Sequence, residues 1–184
     1  MKPATVKRIA VFCGSAAGSD NLFRQACTDL AGILYTRGVG IVYGGGNIGL
    51  MGILADEMLK LGGEVIGVIP QKLVDIEVAH TNLTFMHIVP GMHERKALMA
   101  KLSDAFLVLP GGIGTMEEFF EMYTWLQLGY HNKPVALLNV HGFYDSLIRF
   151  LEHMVHEGFL KRDRFEDLLI DDELSNLIGR IIRS

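Results

Sequence analysis

The stretch AFLVLPGGIGTMEE, residues 105–118, decides the fold. Ala105 to Leu109 is a continuous apolar run, the pattern of a strand buried on both faces. Pro110 to Thr115 then supplies a glycine-rich turn. Beyond it, Met116, Phe119, Phe120, Tyr123 and Leu126 recur at helical spacing and mark one apolar stripe. A buried strand that passes through a glycine turn straight into a helix is the repeating unit of a parallel α/β sheet.

The same unit recurs on both sides of this stretch. Strand-like runs are Ile9 to Cys13, Gly40 to Tyr43, Glu64 to Ile69, Leu83 to Ile88, Ala105 to Leu109 and Pro134 to Leu138. Helical periodicity fills the gaps: Asn21 to Arg37, Gly49 to Leu61, His93 to Leu102, Met116 to Leu128 and Tyr144 to Glu157. In the first of these, Phe23, Ala26, Cys27, Leu30, Ala31 and Leu34 form the core-facing stripe. Alternating strands and helices predict a doubly wound parallel sheet with short, right-handed crossovers. The tail from Leu168 to Ser184 is read as adding a short helix from Asp172 onward. No repeat, linker or low-complexity tract interrupts the chain.

The chain has 184 residues, which suits one domain with a sizeable core. Nearly half of the residues are apolar and 21% are charged, an ordinary globular balance. No apolar run is long enough for a transmembrane helix, so no membrane partner is expected. The opening MKPATVKRIAVF leads directly into a strand pattern without a signal-peptide cleavage site. Cys13 and Cys27 lack metal-ligand spacing, and the histidines show none either; a reduced, cytoplasmic setting is expected, with no metal and no cofactor. The net charge of −4 argues against a nucleic-acid surface. An anionic ligand would therefore need a local site.

Three glycine-rich turns follow strands and precede helices: CGS at Cys13 to Ser15, YGGGNIG at Tyr43 to Gly49, and PGGIGT at Pro110 to Thr115. In open α/β sheets ligands bind beyond the carboxyl ends of the strands, where these turns fall. Glycine permits close backbone approach, and a helix start offers N–H groups to phosphate. Gly44, Gly46 and Gly49 match G-x-G-x-x-G, but after the second strand, and the next strand ends in Val68-Ile69-Pro70-Gln71 without the acid that would hold a ribose. A mononucleotide fits better than a dinucleotide. No turn ends in Gly-Lys-Ser/Thr, so a P-loop is excluded.

The acids at Glu117 and Glu118 pose the sharper question, since they stand beside an anion site. Thr115 and Glu118 have capping-box spacing, a purely structural role. Yet Glu117, Glu118 and Glu121 fall off the apolar stripe at about 100° per residue. Phosphate on the turn would bring the attached sugar near Glu118, where a carboxylate suits the positive charge that develops as a glycosidic bond breaks. PGMHERK, Pro90 to Lys96, brings complementary charge to the same edge. Arg95 is read equally as bracing an acid or substrate oxygen and as solvated. Glu94 and Lys96 are read as solvated charges at a helix start.

PGGIGTMEE and MHERK together resemble the LOG (Lonely Guy) family, the cytokinin riboside 5′-monophosphate phosphoribohydrolases, whose motif PGGxGTxxE is met by Pro110, Gly111, Gly112, Gly114, Thr115 and Glu118. The resemblance runs from Ile9 to about Glu157. It implies a Rossmann-like α/β fold, one nucleotide-binding domain over residues 1–184, and a homodimer with its site near the subunit interface. It also implies hydrolysis of an adenine nucleoside 5′-monophosphate to free base and ribose 5-phosphate. Carried over by motif, Arg95 and Glu118 are the catalytic pair. Gly111, Gly112, Gly114 and Thr115 hold the phosphate, with Ser15, Gly45 and Lys96 nearby. Met92, with Met99 or Trp125, is a candidate wall for the base. Relatives also carry a lysine decarboxylase label, which no residue here supports. The alternative is a non-catalytic nucleotide or molybdenum-cofactor carrier of the same fold, which would use the glycine turns without needing Arg95 and Glu118 together.

Overall fold

The computed structural model describes residues 6–74 and 78–184; the sequence reading of residues 1–5 lies outside them. The strands are β1 (Arg8–Phe12), β2 (Gly40–Tyr43), β3 (Val65–Pro70), β4 (Phe85–Val89), β5 (Ala105–Val108), β6 (Val135–Leu138) and β7 (Leu168–Asp171). The helices are α1 (Asn21–Thr36), α2 (Gly49–Lys60), α3 (Met92–Leu102), α4 (Ile113–Leu128), α5 (Asp145–His156), α6 (Arg162–Glu166) and α7 (Leu174–Arg183). The strands make one seven-stranded sheet in the order β4-β3-β2-β1-β5-β6-β7. Every pairing between these strands is parallel. The expected Rossmann-like α/β sheet is therefore present.

The apolar runs explain why the sheet is buried. Ile9, Ile41, Val65 and Ala105 from β1, β2, β3 and β5 join residues of α1, α2 and α7 in one core. Ala10, Val42, Ile66 and Phe106, one position along each of those strands, join α3, α4 and α5 in the other. Alternate side chains thus serve opposite faces, and both faces are covered. The chain runs outward from β1 to β4 on one side and from β5 to β7 on the other. β1 and β5 are neighbours, so the strand order reverses between them. A crevice opens there at the carboxyl edge of the sheet.

The tail departs from the expectation. It begins with the edge strand β7, which pairs with β6 from Val135↔Leu168 to Leu138↔Asp171, before α7 starts at Leu174. The connection from β3 to β4 carries only a 3-10 turn, Gln71–Leu73, among its described residues. That connection crosses the β2–α2 turn. The Asn47 amide donates to the Val78 carbonyl at 2.9 Å and the His80 amide to the Gly45 carbonyl at 2.9 Å.

Candidate active site

Among the helices that start at the carboxyl edge, α4 begins without a side-chain cap and with open space around its first glycines. Asp20 caps α1 by accepting from the Leu22 amide. The Gly14 carbonyl takes the Leu50 amide at 3.0 Å, which occupies the start of α2. At the start of α3, Glu94 lies in the first turn close to Gly91. α4 begins after Gly112 with no side-chain cap, and nothing lies within 4 Å of where a Cβ of Gly112 or Gly114 would be. Its first intrahelical bond runs from Met116 to the Gly112 carbonyl, so the amides of Ile113, Gly114 and Thr115 point outward as an anion seat.

This geometry removes the capping-box reading. With Gly112 as N-cap, Thr115 stands at the third helical position and Glu118 in the second turn. Thr115 is buried beneath Gly111 instead: a Cβ at Gly111 would meet its Oγ1 at 2.1 Å. The three glycine turns also interlock. The Gly14 amide donates to the Pro110 carbonyl at 3.1 Å, and a side chain on Gly49, which has φ +60°, would collide with the Ser15 backbone at 2.3 Å. Much of the glycine content therefore lets the turns touch one another. The Tyr144 hydroxyl, donating to the Leu109 carbonyl at 2.6 Å, fixes the end of β5 beneath them.

A cavity of about 240 Å³ opens beside the α4 start, and Arg95 and Glu118 both line it. Ser15, Met92, Gly112, Gly114 and Thr115 line it too. Arg95 is 4% exposed, so it is not a solvated charge. Its Nε donates to the Val68 carbonyl at 3.1 Å and its Nη2 to the Gly44 carbonyl at 2.8 Å. These two carbonyls, one within β3 and one just past the end of β2, fix the guanidinium plane. Met92 Sδ stands 3.8 Å from Nη1. Glu118 reaches the cavity from α4, one turn beyond the anion seat. Cys13 also lines it, but burial foremost, then neighbouring Cys27 and Glu118, push its thiol well above the usual range, so it stays protonated and inert.

Other expected residues sit elsewhere. Gly45, with φ +81°, packs against Ile69 and Met86 and turns the chain behind the cavity; Gly44 is the glycine that lines it. Gly111 lies under the seat rather than in the cavity lining. Met99 belongs to the core beneath α3, and Trp125 packs beside Tyr130 with ring centroids 6.4 Å apart. Lys96 corrects its reading as a solvated charge. It is 7% exposed, bonded to Glu117, with its Nζ 2.9 Å from Glu121 Oε2. Burial works to lower its pKa, but the two carboxylates outweigh that and hold it above the usual lysine value. Sequence reasoning missed Gly44 and the burial of Lys96. The GGG of the second turn was the available signal for the first; the second depends on how α3 and α4 lie together.

Among the described residues no group of three His, Cys, Asp or Glu side chains forms a metal cluster, and no helix is long and apolar enough to cross a membrane. Comparison with known proteins extends this description. The family model described as "Possible lysine decarboxylase" matches residues 51–181. A lysine nucleophile must shed its proton, whereas Lys96 is held as an ammonium between two acids. The cytokinin riboside 5′-monophosphate phosphoribohydrolase LOG3 of Arabidopsis thaliana is 48% identical over 181 residues, covering 98% of this chain and 84% of its own. The enzyme of that activity from Rhodococcoides fascians is 43% identical, covering 96% and 90%. A molybdenum cofactor carrier protein from Chlamydomonas reinhardtii superposes with a TM-score of 0.70 over 96% of each chain, but at 19% identity that likeness concerns the fold alone. The match to these two enzymes spans almost the whole chain, and on that ground the chain belongs to the LOG family of cytokinin riboside 5′-monophosphate phosphoribohydrolases.

Proposed function

We propose that the chain acts as one nucleotide-binding unit that hydrolyses the N-glycosidic bond of adenine nucleoside 5′-monophosphates, AMP or its N6-modified forms, to free base and ribose 5-phosphate. The observation that carries this reading is the meeting of Arg95 and Glu118, from different helices, in one cavity beside an uncapped helix start. The 5′-phosphate rests on the α4 amides, with the Ser15 hydroxyl beside it. Glu118 lies five residues beyond Ile113, about 7 Å along the helix, a distance that suits a group acting one sugar away. As the C1′–N9 bond breaks, its electron pair leaves with the base and positive charge develops on the ribose. The Glu118 carboxylate stabilises that charge. Water adds its oxygen to C1′ and releases a proton through Glu118, and the departing base nitrogen takes up a proton. Arg95 orients Glu118 or a substrate oxygen. Met92 supplies an apolar wall for the base.

The test is base release from AMP and from N6-isopentenyl-AMP, quantified by chromatography. We expect release from the wild type and none from Glu118→Gln, which should keep its fold and its nucleotide affinity. Equal turnover in that variant would remove the mechanism. Saturable binding of both nucleotides by the wild type without any release would point to a carrier.

A homodimer is part of the same proposal. Phe85 and Ile88 on the edge strand β4 are each 56% exposed, and Met92 beside the cavity is 41% exposed, an apolar surface that a second copy would cover. Sedimentation at micromolar protein should give twice the single-chain mass; a monomer would count against it. A cytoplasmic setting is supported by Cys13 and Cys27, both buried free thiols, and fractionation that finds the chain outside the cytoplasm would remove it. The partner is the nucleotide; the acidic net charge of −4 supports neither nucleic acid nor an anionic membrane.

A further inference from the structure

Arg95 and Glu118 belong to different helices, and no main-chain ladder joins those helices. Their separation must be held by side chains. The residue after Arg95 is Lys96, and its ammonium is bonded to Glu117, which precedes Glu118, and stands 2.9 Å from Glu121, one turn beyond it. One nearly buried cation thus grips α4 on both sides of the catalytic carboxylate, from the position adjoining the catalytic guanidinium. Nothing comparable is required by the fold. A core leucine would fill the volume and leave the α4 acids in solvent, where surface glutamates are at home.

We propose that Lys96 is a positioning residue: the Glu117–Lys96–Glu121 ion cluster sets the distance and orientation between Arg95 and Glu118, and Lys96 makes no contact with the nucleotide. The proposal rests on the hydrolase reading above. It also gives the two adjacent acids separate tasks. Glu117, although it also lines the cavity, is bound to Lys96, and Glu118 is assigned to the chemistry. The cluster has a second effect. Without the ammonium, two carboxylates would stand uncompensated beside Glu118 and repel it in its ionised form. Among the described residues, the charged groups around this point are Lys96 and Arg95 from α3 and Glu117 and Glu121 from α4, and the Cys13 thiol just past β1 is neutral.

Steady-state kinetics on N6-isopentenyl-AMP and AMP separates positioning from binding. Lys96→Met keeps the stem and removes the charge. We expect its kcat to fall roughly 10- to 100-fold, the scale of a misplacement of about 1 Å, with KM within about twofold of wild type, because the phosphate seat is untouched. Lys96→Arg should restore most of kcat. Glu121→Gln should lower kcat by a smaller factor in the same direction, and adding it to Lys96→Met should cost little more, since the two act as one unit. A KM that rises while kcat holds, with Glu121→Gln neutral, would make Lys96 a phosphate ligand and overturn the proposal. Should Lys96→Met fail to fold, Glu121→Gln carries the test alone: an unchanged kcat overturns the cluster's role. Full kcat in Lys96→Met beside an active wild type would sink the positioning role only. Absence of base release from the wild type would sink the hydrolase reading and the positioning role with it.

Discussion

Gly44 has no side chain, and Arg95 uses the space. A Cβ there would stand 2.2 Å from Nη2 of the guanidinium and 3.2 Å from Met51 Sδ. Gly44→Ala should therefore leave the sheet folded and expel the guanidinium from its seat between two carbonyls. We expect kcat to drop roughly 100-fold with nucleotide affinity little changed, as read by turnover beside equilibrium titration of AMP; wild-type turnover would show that the guanidinium seat is dispensable. At this scale sequence and structure agree on motif and part on contact. Arg95 and Glu118 stand in recognisable runs, and their chemistry follows from their types. That the guanidinium lies on Gly44, 51 positions earlier, is a consequence of β2 and β3 being neighbours. No periodicity within PGMHERK contains it. Lys96 makes the same point, because residues on two separate helices decide whether it is solvated or clamped.

The elements were legible wherever apolar runs were continuous and buried. β2 was bounded correctly from Gly40 to Tyr43, and α2 and α5 to within a residue at each end. β7, no shorter than β2, was missed because Leu168–Asp171 sits at the edge of the sheet and is only partly covered, so neither a buried run nor a clean alternation betrays it. The start of α4 was placed too late because Gly112 and Gly114 read as turn; glycine is a poor helix former, yet here it opens the helix. The β2–α2 turn gives the prediction that belongs to this scale. Gly49 has φ +60°, and any Cβ would enter the Ser15 backbone. Gly49→Ala should cost about 1–3 kcal/mol for the strained backbone and more for the collision, read as a lower urea midpoint at unchanged slope. A midpoint equal to wild type would mean that the turns are not locked together.

At the scale of the whole molecule, the two edges of the sheet divide the labour. The carboxyl edge carries the cavity; the amino edge carries fastening. There Arg8 Nε meets Glu64 Oε2 at 2.6 Å, and a Cβ on intervening Gly40 would lie 2.6 Å from the same oxygen, so β1 and β3 are bridged across β2. The Arg8 hydrogen bond leads in holding the Glu64 pKa below its usual value. A depressed folded value means the bridge stabilises the protein above the ordinary glutamate pKa, about 4.3, and that this contribution fades as pH falls through the folded value. Both side chains are about a third exposed, which limits the effect to about 1 kcal/mol at most. Glu64→Gln should therefore be slightly less stable than wild type near pH 7, and the difference should close as the pH is lowered towards 3. A constant difference across that range, in urea melts, would detach the bridge from stability. Base release at pH 7 should be the same in both.

The seat of Arg95 bears on whether this active site could be moved to another protein. Its acceptors are main-chain oxygens of Val68, within β3, and of Gly44, just past the end of β2, and these strands are parallel neighbours. Transplanting PGGIGTMEE into a different nucleotide-binding scaffold would carry the glycine turn and the carboxylate, and adding MHERK would carry the guanidinium. Neither segment would carry those two carbonyls, which come together only where β2 ends beside the continuing β3. The hydrolytic site is portable only as the half-sheet that builds it.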